Sequence, residues 1–115
     1  MKFILLLMER DTNWNEVPEE RLEEALGDHA SFERYLRENG ISYYGEAVGP
    51  STAAKTLRRT EDGLSLSDGP WTEQSAGLGG LYVIDVKDMD AAVEVARRCP
   101  TGAATEIRPI WASSE

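Results

Sequence analysis

Phe3-Ile4-Leu5-Leu6-Leu7-Met8 and, far along the chain, Gly80-Leu81-Tyr82-Val83-Ile84-Asp85-Val86 decide how the fold is read. Each run is short for a helix and dense in apolar and β-branched residues, so each reads as a buried strand. Apart from Asp85, both are apolar at odd and even positions alike. A strand in an antiparallel sheet with one wet face alternates instead. Both faces of these two strands are therefore expected to be covered.

The segments between them supply the rest. After Glu9-Arg10-Asp11 a loop containing Trp14 runs to Val17. Pro18 then suits the first turn of a helix, where its missing N–H costs nothing, and Glu19 and Glu20 suit the positive end of the helix dipole. Leu22, Ala25, Leu26, His29, Phe32 and Leu36 recur at three- and four-residue steps and predict one apolar face. Gly40 ends the helix by allowing a left-handed backbone. Ile41 to Val48 predicts a strand. The weaker strands Ala54–Arg59 and Leu64–Ser67 flank Glu61-Asp62-Gly63, a hairpin signal. Asp68-Gly69-Pro70 turns the chain into a loop that reaches Leu78. Asp88 is the expected cap of a second helix, with Ala92, Val95 and Ala96 inward and Pro100 as its stop. Thr105 to Trp111 predicts the last strand.

The order is β-α-β-(hairpin)-β-α-β within one domain, 1–115. Right-handed crossovers then give an α+β, ferredoxin-like antiparallel sheet with two helices on one face. The other face needs a cover. The simplest is the sheet of a second identical chain, a homodimer; the hairpin or a terminal segment folding back is the alternative.

Composition narrows the function. The 115 residues carry a formal net charge of −9, with basic residues paired only at Arg58-Arg59 and Arg97-Arg98. Phosphate backbones and anionic membranes call for basic surfaces, so neither nucleic acid nor membrane is an expected partner. The apolar N-terminal run predicts a strand, not a leader peptide or a span. Cys99 is the lone cysteine, which fits a reducing, cytoplasmic setting. With one histidine and one cysteine, zinc sites built on His pairs or thiolate clusters are excluded. The glycines at 77, 79 and 80 lead into a strand, not a helix, and read as places of close backbone approach rather than a dinucleotide loop. Neither metal nor cofactor is expected.

Four features remain as candidate chemistry. His29 lies in line with Leu26 and Phe32, either as a core histidine with one hydrogen bond or as an acid–base group near neutral pH. Glu46 interrupts the second strand, either as an outward edge residue or as the carboxylate that orients His29. Asp68, Trp71 and Glu73 form a loop able to wall a small-molecule pocket or an interface, with Tyr44 as a further apolar wall. Arg108 either neutralises a ligand carboxylate or pairs with Glu106.

The segment from Asp68 to Val86, DGPWTEQSAGLGGLYVIDV, resembles the signature of the DGPF-domain group within the YCII-related proteins. The closing EIRPI, Glu106 to Ile110, resembles that group's final strand, and the resemblance spans essentially the whole chain. Trp71 replaces the usual Phe, and Ser75-Ala76 replaces a basic-acidic pair. The resemblance implies a dimeric α/β barrel and a His–carboxylate dyad, for which His29 and Glu46 stand at the matching places. It implies either a cofactor-independent lyase or isomerase acting on a small organic molecule, or a non-catalytic regulatory module linked to sigma factors.

Overall fold

The computed structural model describes residues 1–111. The sequence order gives β1 (Lys2–Met8), α1 (Glu19–Glu38), β2 (Tyr43–Ala47), β3 (Lys55–Thr60), β4 (Gly63–Asp68), β5 (Leu78–Asp85), α2 (Met89–Ala96) and β6 (Ala104–Pro109). Four strands form one antiparallel sheet in the order β2-β5-β1-β6, and β3 and β4 form a separate hairpin. This is the ferredoxin-like α+β arrangement expected from the pattern of elements. The strand that begins at Leu78 takes in Gly79 and Gly80, two residues earlier than the apolar run alone implies.

Local chemistry sets the helix ends. Pro18 precedes α1, and Gly40 follows it with φ of +67°. The Asp88 carboxylate accepts a hydrogen bond from the Ala91 N–H at 2.9 Å and caps α2.

The core lies between the sheet and the two helices. Phe3, Leu5 and Leu7 from β1 meet Tyr82 and Ile84 from β5, Phe32 and Leu36 from α1, and Ala92, Val95 and Cys99 from α2 and the residues after it. Burying each large apolar side chain contributes roughly 1.5–3 kcal/mol. Burial pushes the Cys99 thiol up to about 12.

The register sorts the other face. Ile4, Leu6 and Met8 alternate with the core residues of β1, and Leu81 and Val83 are their counterparts on β5. Tyr44 and Glu46 of β2, and Glu106 and Arg108 of β6, extend this face outward. Its central residues are only half-buried. The hairpin does not cover it: β3 and β4 pair with each other and make at most glancing contact with other elements. The molecule is correspondingly extended, with a radius of gyration of 16.1 Å against about 13 Å for a compact domain of this length. Of the covers weighed from the sequence, folding back by the hairpin is not what this chain does, and the C-terminal segment 112–115 lies outside the described residues.

Candidate functional site

Helix α1 carries His29, Glu33 and Arg37 at four-residue steps, hence on one stripe. Opposite them stand Tyr82 on β5 and Tyr43 on β2. Both tyrosines point to the helix side, as their register with Phe3 and Leu5 requires. Tyr82 lies flat across β2 because Gly45 has no side chain: a Cβ there would sit 2.5 Å from the Tyr82 ring. Phe32 meets the Tyr82 ring edge-on with centroids 5.0 Å apart, and the His29 ring stacks on it at 5.9 Å.

These side chains form one hydrogen-bonded array. Tyr82 donates its hydroxyl proton to Glu33 Oε2 at 3.0 Å, and Tyr43 donates to Glu33 Oε1 at 3.2 Å. Arg37 in turn donates to the Tyr43 hydroxyl at 2.9 Å. Nδ1 of His29 lies 2.9 Å from the Tyr82 hydroxyl. A hydroxyl has one proton, and here it goes to the carboxylate. The Tyr82 oxygen must then accept from Nδ1–H, which assigns the imidazole tautomer and leaves Nε2 as the basic nitrogen. Burial, followed by the Glu33 hydrogen bond and charge, pushes the Tyr82 phenol well above its usual range. Tyr82 therefore stays a neutral phenol at any physiological pH.

His29 and Glu33 border a cavity of about 210 Å³, lined mainly by Leu7, Leu26, Ala47, Leu81 and Tyr82 with Gly45, Gly79 and Gly80 as its small residues. Leu26, expected on the buried face of α1, is 60% exposed and lines this cavity. A second cavity of about 190 Å³ adjoins it, since His29 and Glu9 line both; Trp14, Arg21 and Thr101 contribute its other walls. Among the described residues no three His, Cys, Asp or Glu side chains are grouped to hold a metal ion.

The carboxylate in the array is Glu33, not Glu46. Glu46 pairs with Leu81 in register, so its side chain projects to the sheet face away from α1, and no hydrogen bond joins it to His29. It borders the cavity at the Gly80 approach, where its backbone oxygen would lie 3.1 Å from a Cβ at 80. One residue of strand parity separates the two outcomes.

The remaining candidates stand apart from His29. Tyr44 is 60% exposed on the open sheet face. Arg108 Nε donates to Glu106 Oε2 at 2.5 Å, the surface pairing that was one of its two readings. Asp68 accepts from Lys55 Nζ at 2.6 Å at the root of the hairpin. Trp71 is 72% exposed beside Arg58, which donates to its carbonyl, and Glu73 is exposed in the same loop. None of these five lines the His29 cavity. Glu33, Tyr82 and Tyr43 were not singled out from the sequence. The four-residue spacing from His29 to Glu33 was the available signal.

The family model of the YCII-related domain matches residues 1–113. The chain belongs to the YCII-related family. An uncharacterized protein of Rhizobium meliloti (strain 1021) is 31% identical over 101 residues, covering 84% of this chain and 79% of that protein. The YCII-related domain thus accounts for the whole ferredoxin-like unit, with the His29 array inside it.

Proposed function

We propose that this YCII-related protein is an acid–base enzyme that works without a bound cofactor, moving a proton in the elimination or isomerisation of a small organic molecule. The observation that carries this reading is the direction of hydrogen bonding through His29, Tyr82 and Glu33. It leaves Nε2 as a base beside an apolar cavity. When Nε2 takes a proton from the ligand, the new imidazolium is stabilised through Nδ1–H, the Tyr82 hydroxyl and the Glu33 carboxylate. Release of that proton to another ligand atom, or to a leaving group, restores the neutral ring. Glu33 thereby takes the orienting role first assigned to Glu46. Arg37, through Tyr43, balances the Glu33 charge from the far side.

The Asp68-Gly69-Pro70-Trp71 turn supports membership of the DGPF group on this reading, and a homodimer joined through the open sheet face completes it. What supports the dimer is the half-buried apolar strip Ile4, Leu6, Met8, Leu81 and Val83. A second copy set against that strip also buries Tyr44 and brings Arg108 near the interface.

Nuclear magnetic resonance of the His29 ring tests the acid–base role. The expected result is an Nδ1–H tautomer in the native protein that is lost in Tyr82→Phe. Deuterium exchange into single-ring carbon acids is expected to be catalysed by the native protein and lost in His29→Gln. An Nε2–H tautomer in the native protein overturns the reading, as does undiminished exchange in His29→Gln.

A further inference from the structure

We infer that Glu9 is a ligand-reading carboxylate of the His29 cavity, accepting a hydrogen bond from the hydroxyl or amine of a small, apolar-bodied ligand and turning away carboxylates. The inference rests on the reading of that cavity as a ligand site and adds its selectivity.

Strand parity aims the residue. Phe3, Leu5 and Leu7 face the helices, and Glu9 is the next position in that alternation, just beyond the end of β1. The partner strand makes room. Leu7 pairs with Gly80 but Met8 pairs with Leu78, so Gly79 is an unpaired bulge residue. The Glu9 side chain lies over Gly79, where a Cβ would sit 2.8 Å from Glu9 Cγ and closer still to the carboxylate. Two more glycines fix the stem. A Cβ at Gly77 would lie 2.7 Å from the Glu9 carbonyl oxygen, and one at Gly102 would lie 2.9 Å from Glu9 Cβ. The Glu9 N–H also donates to the Gly77 carbonyl at 2.8 Å. Three glycines from two separate segments thus hold one glutamate in place.

That placement leaves the carboxylate itself without a polar partner among the described residues. It has neither a hydrogen-bond donor nor an ion-pair partner there, although Glu9 is half-buried and borders both cavities beside His29. A carboxylate is acceptor-only when ionised, so its missing partner is a donor. The nearby charges favour the same choice. Glu9 and Glu33 border the first cavity, and Glu9 and Asp28 border the second, where Arg21 is the single cation and stacks on Trp14 at 5.5 Å. An anionic ligand meets repulsion there, whereas a hydroxyl or ammonium finds acceptors. The volume of about 210 Å³ exceeds the ~150 Å³ that accommodates benzene, so a single ring with one donor group fits.

Binding of phenol, benzylamine and benzoate to the full chain, followed by amide shifts in nitrogen-15 spectra, tests this. The expected result is that phenol or benzylamine shifts the amides of His29 and of Gly79 to Tyr82, about tenfold more tightly than benzoate. Which of the two binds better decides between a hydroxyl and an amine head. Glu9→Gln is expected to erase the gap. Gly79→Ala, which keeps the charge but displaces the carboxylate, is expected to narrow it, and circular dichroism checks that both variants fold. Benzoate binding as tightly as the donors, a gap that survives in both variants, or no probe shifting these amides at millimolar concentration overturns the inference. The His29 tautomer is read in separate ring spectra. An Nε2–H tautomer with the donor preference intact removes the acid–base reading and leaves Glu9 standing, while the reverse pattern removes Glu9 alone.

Discussion

The pair β1–β5 and the hairpin β3–β4 are both antiparallel ribbons rich in leucine, yet they meet opposite fates. Leu5 is fully buried, whereas Leu66 is 65% exposed, and Leu57 and Leu64 on the same hairpin face are also exposed. Leu57 pairs with Leu66, so these side chains lie on one side of the ribbon. Alternation already differs between them: β1 and β5 are apolar at odd and even positions, whereas Leu64 and Leu66 alternate with serines. What decides their burial is a third layer: α1 and α2 close over β1 and β5, and among the described residues nothing closes over the hairpin. A two-stranded ribbon on its own is marginal in water, and this one is tied down mainly at its root. There the Gly69 N–H donates to the Ala54 carbonyl at 2.8 Å, and Asp11 accepts from the Ser51 N–H and hydroxyl. Those hydrogen bonds hold the Asp11 carboxyl below its usual range.

The largest expected effect sharpens this contrast. Leu5→Ala empties a closed site and is expected to destabilise the fold by roughly 2–5 kcal/mol. Leu66→Ala, the same chemical change on the hairpin, is expected to stay within about 0.5 kcal/mol in dilute solution. Urea unfolding measures both. Equal losses would mean that the hairpin is part of the cooperative core.

An effect of intermediate size concerns packing under the array. Gly45→Ala places a methyl group against the Tyr82 ring, and overpacking of this kind typically costs about 1–3 kcal/mol. The same change at Gly49, which has open space around a Cβ, is expected to be nearly silent. Because Tyr82 carries the His29 hydrogen bond, Gly45→Ala is also expected to change the His29 tautomer, and Gly49→Ala is not. A silent Gly45→Ala would show that the ring moves freely and that the array is not held by packing.

Alkaline pH separates the core from the hairpin again. The Cys99 thiol is raised from 9.0 to about 12 by burial. Below pH 9 it is protonated in both folded and unfolded chains, and its contribution is complete. As pH rises from 9 toward 12 the unfolded chain gives up its proton first, so stability falls across that window. Tyr82, raised for the same reason and by Glu33, adds to the decline above its ordinary value of 10.0. Cys99→Ala is expected to flatten the first part of the slope in thermal melts, and an unchanged slope would place the thiol in contact with water.

Much of the sheet was legible because β1 and β5 have strong local signals, and Pro18, Gly40 and Asp88 mark helix ends through backbone chemistry alone. The site was less legible because it depends on parity across strands. Placing Glu46 on the His29 side required knowing which face each residue of β2 takes, and the Tyr43-Tyr44 pair reads equally well in either register. Only pairing with β5 puts Tyr43 and Gly45 inward and Tyr44 and Glu46 outward. Glu33 was hidden for a different reason. Its acidity on a helix with many acids reads as solvated surface, until two phenols from distant strands arrive above it.

The smallest effect on folding carries the most information about assembly. Val83→Lys sits on the half-buried open face of the sheet, and Leu66→Lys sits on the exposed face of the hairpin. A lysine at either place keeps its charge in water in a lone subunit, so both are expected to shift unfolding by no more than about 1 kcal/mol. Their effects on association differ. If two sheets meet face to face, Val83→Lys buries a charge at the centre of the interface and splits the dimer, because an unpaired ion there costs several kcal/mol. Leu66→Lys then leaves the dimer intact unless the hairpin also reaches across to the partner. Sedimentation at micromolar concentration reads the outcome. Loss of the dimer in Leu66→Lys alone assigns the contact to the hairpin and leaves the open face wet. A monomer in the native protein removes the dimer altogether and makes the apolar strip of Ile4, Leu6 and Val83 a cost that the core on the other side must offset by itself.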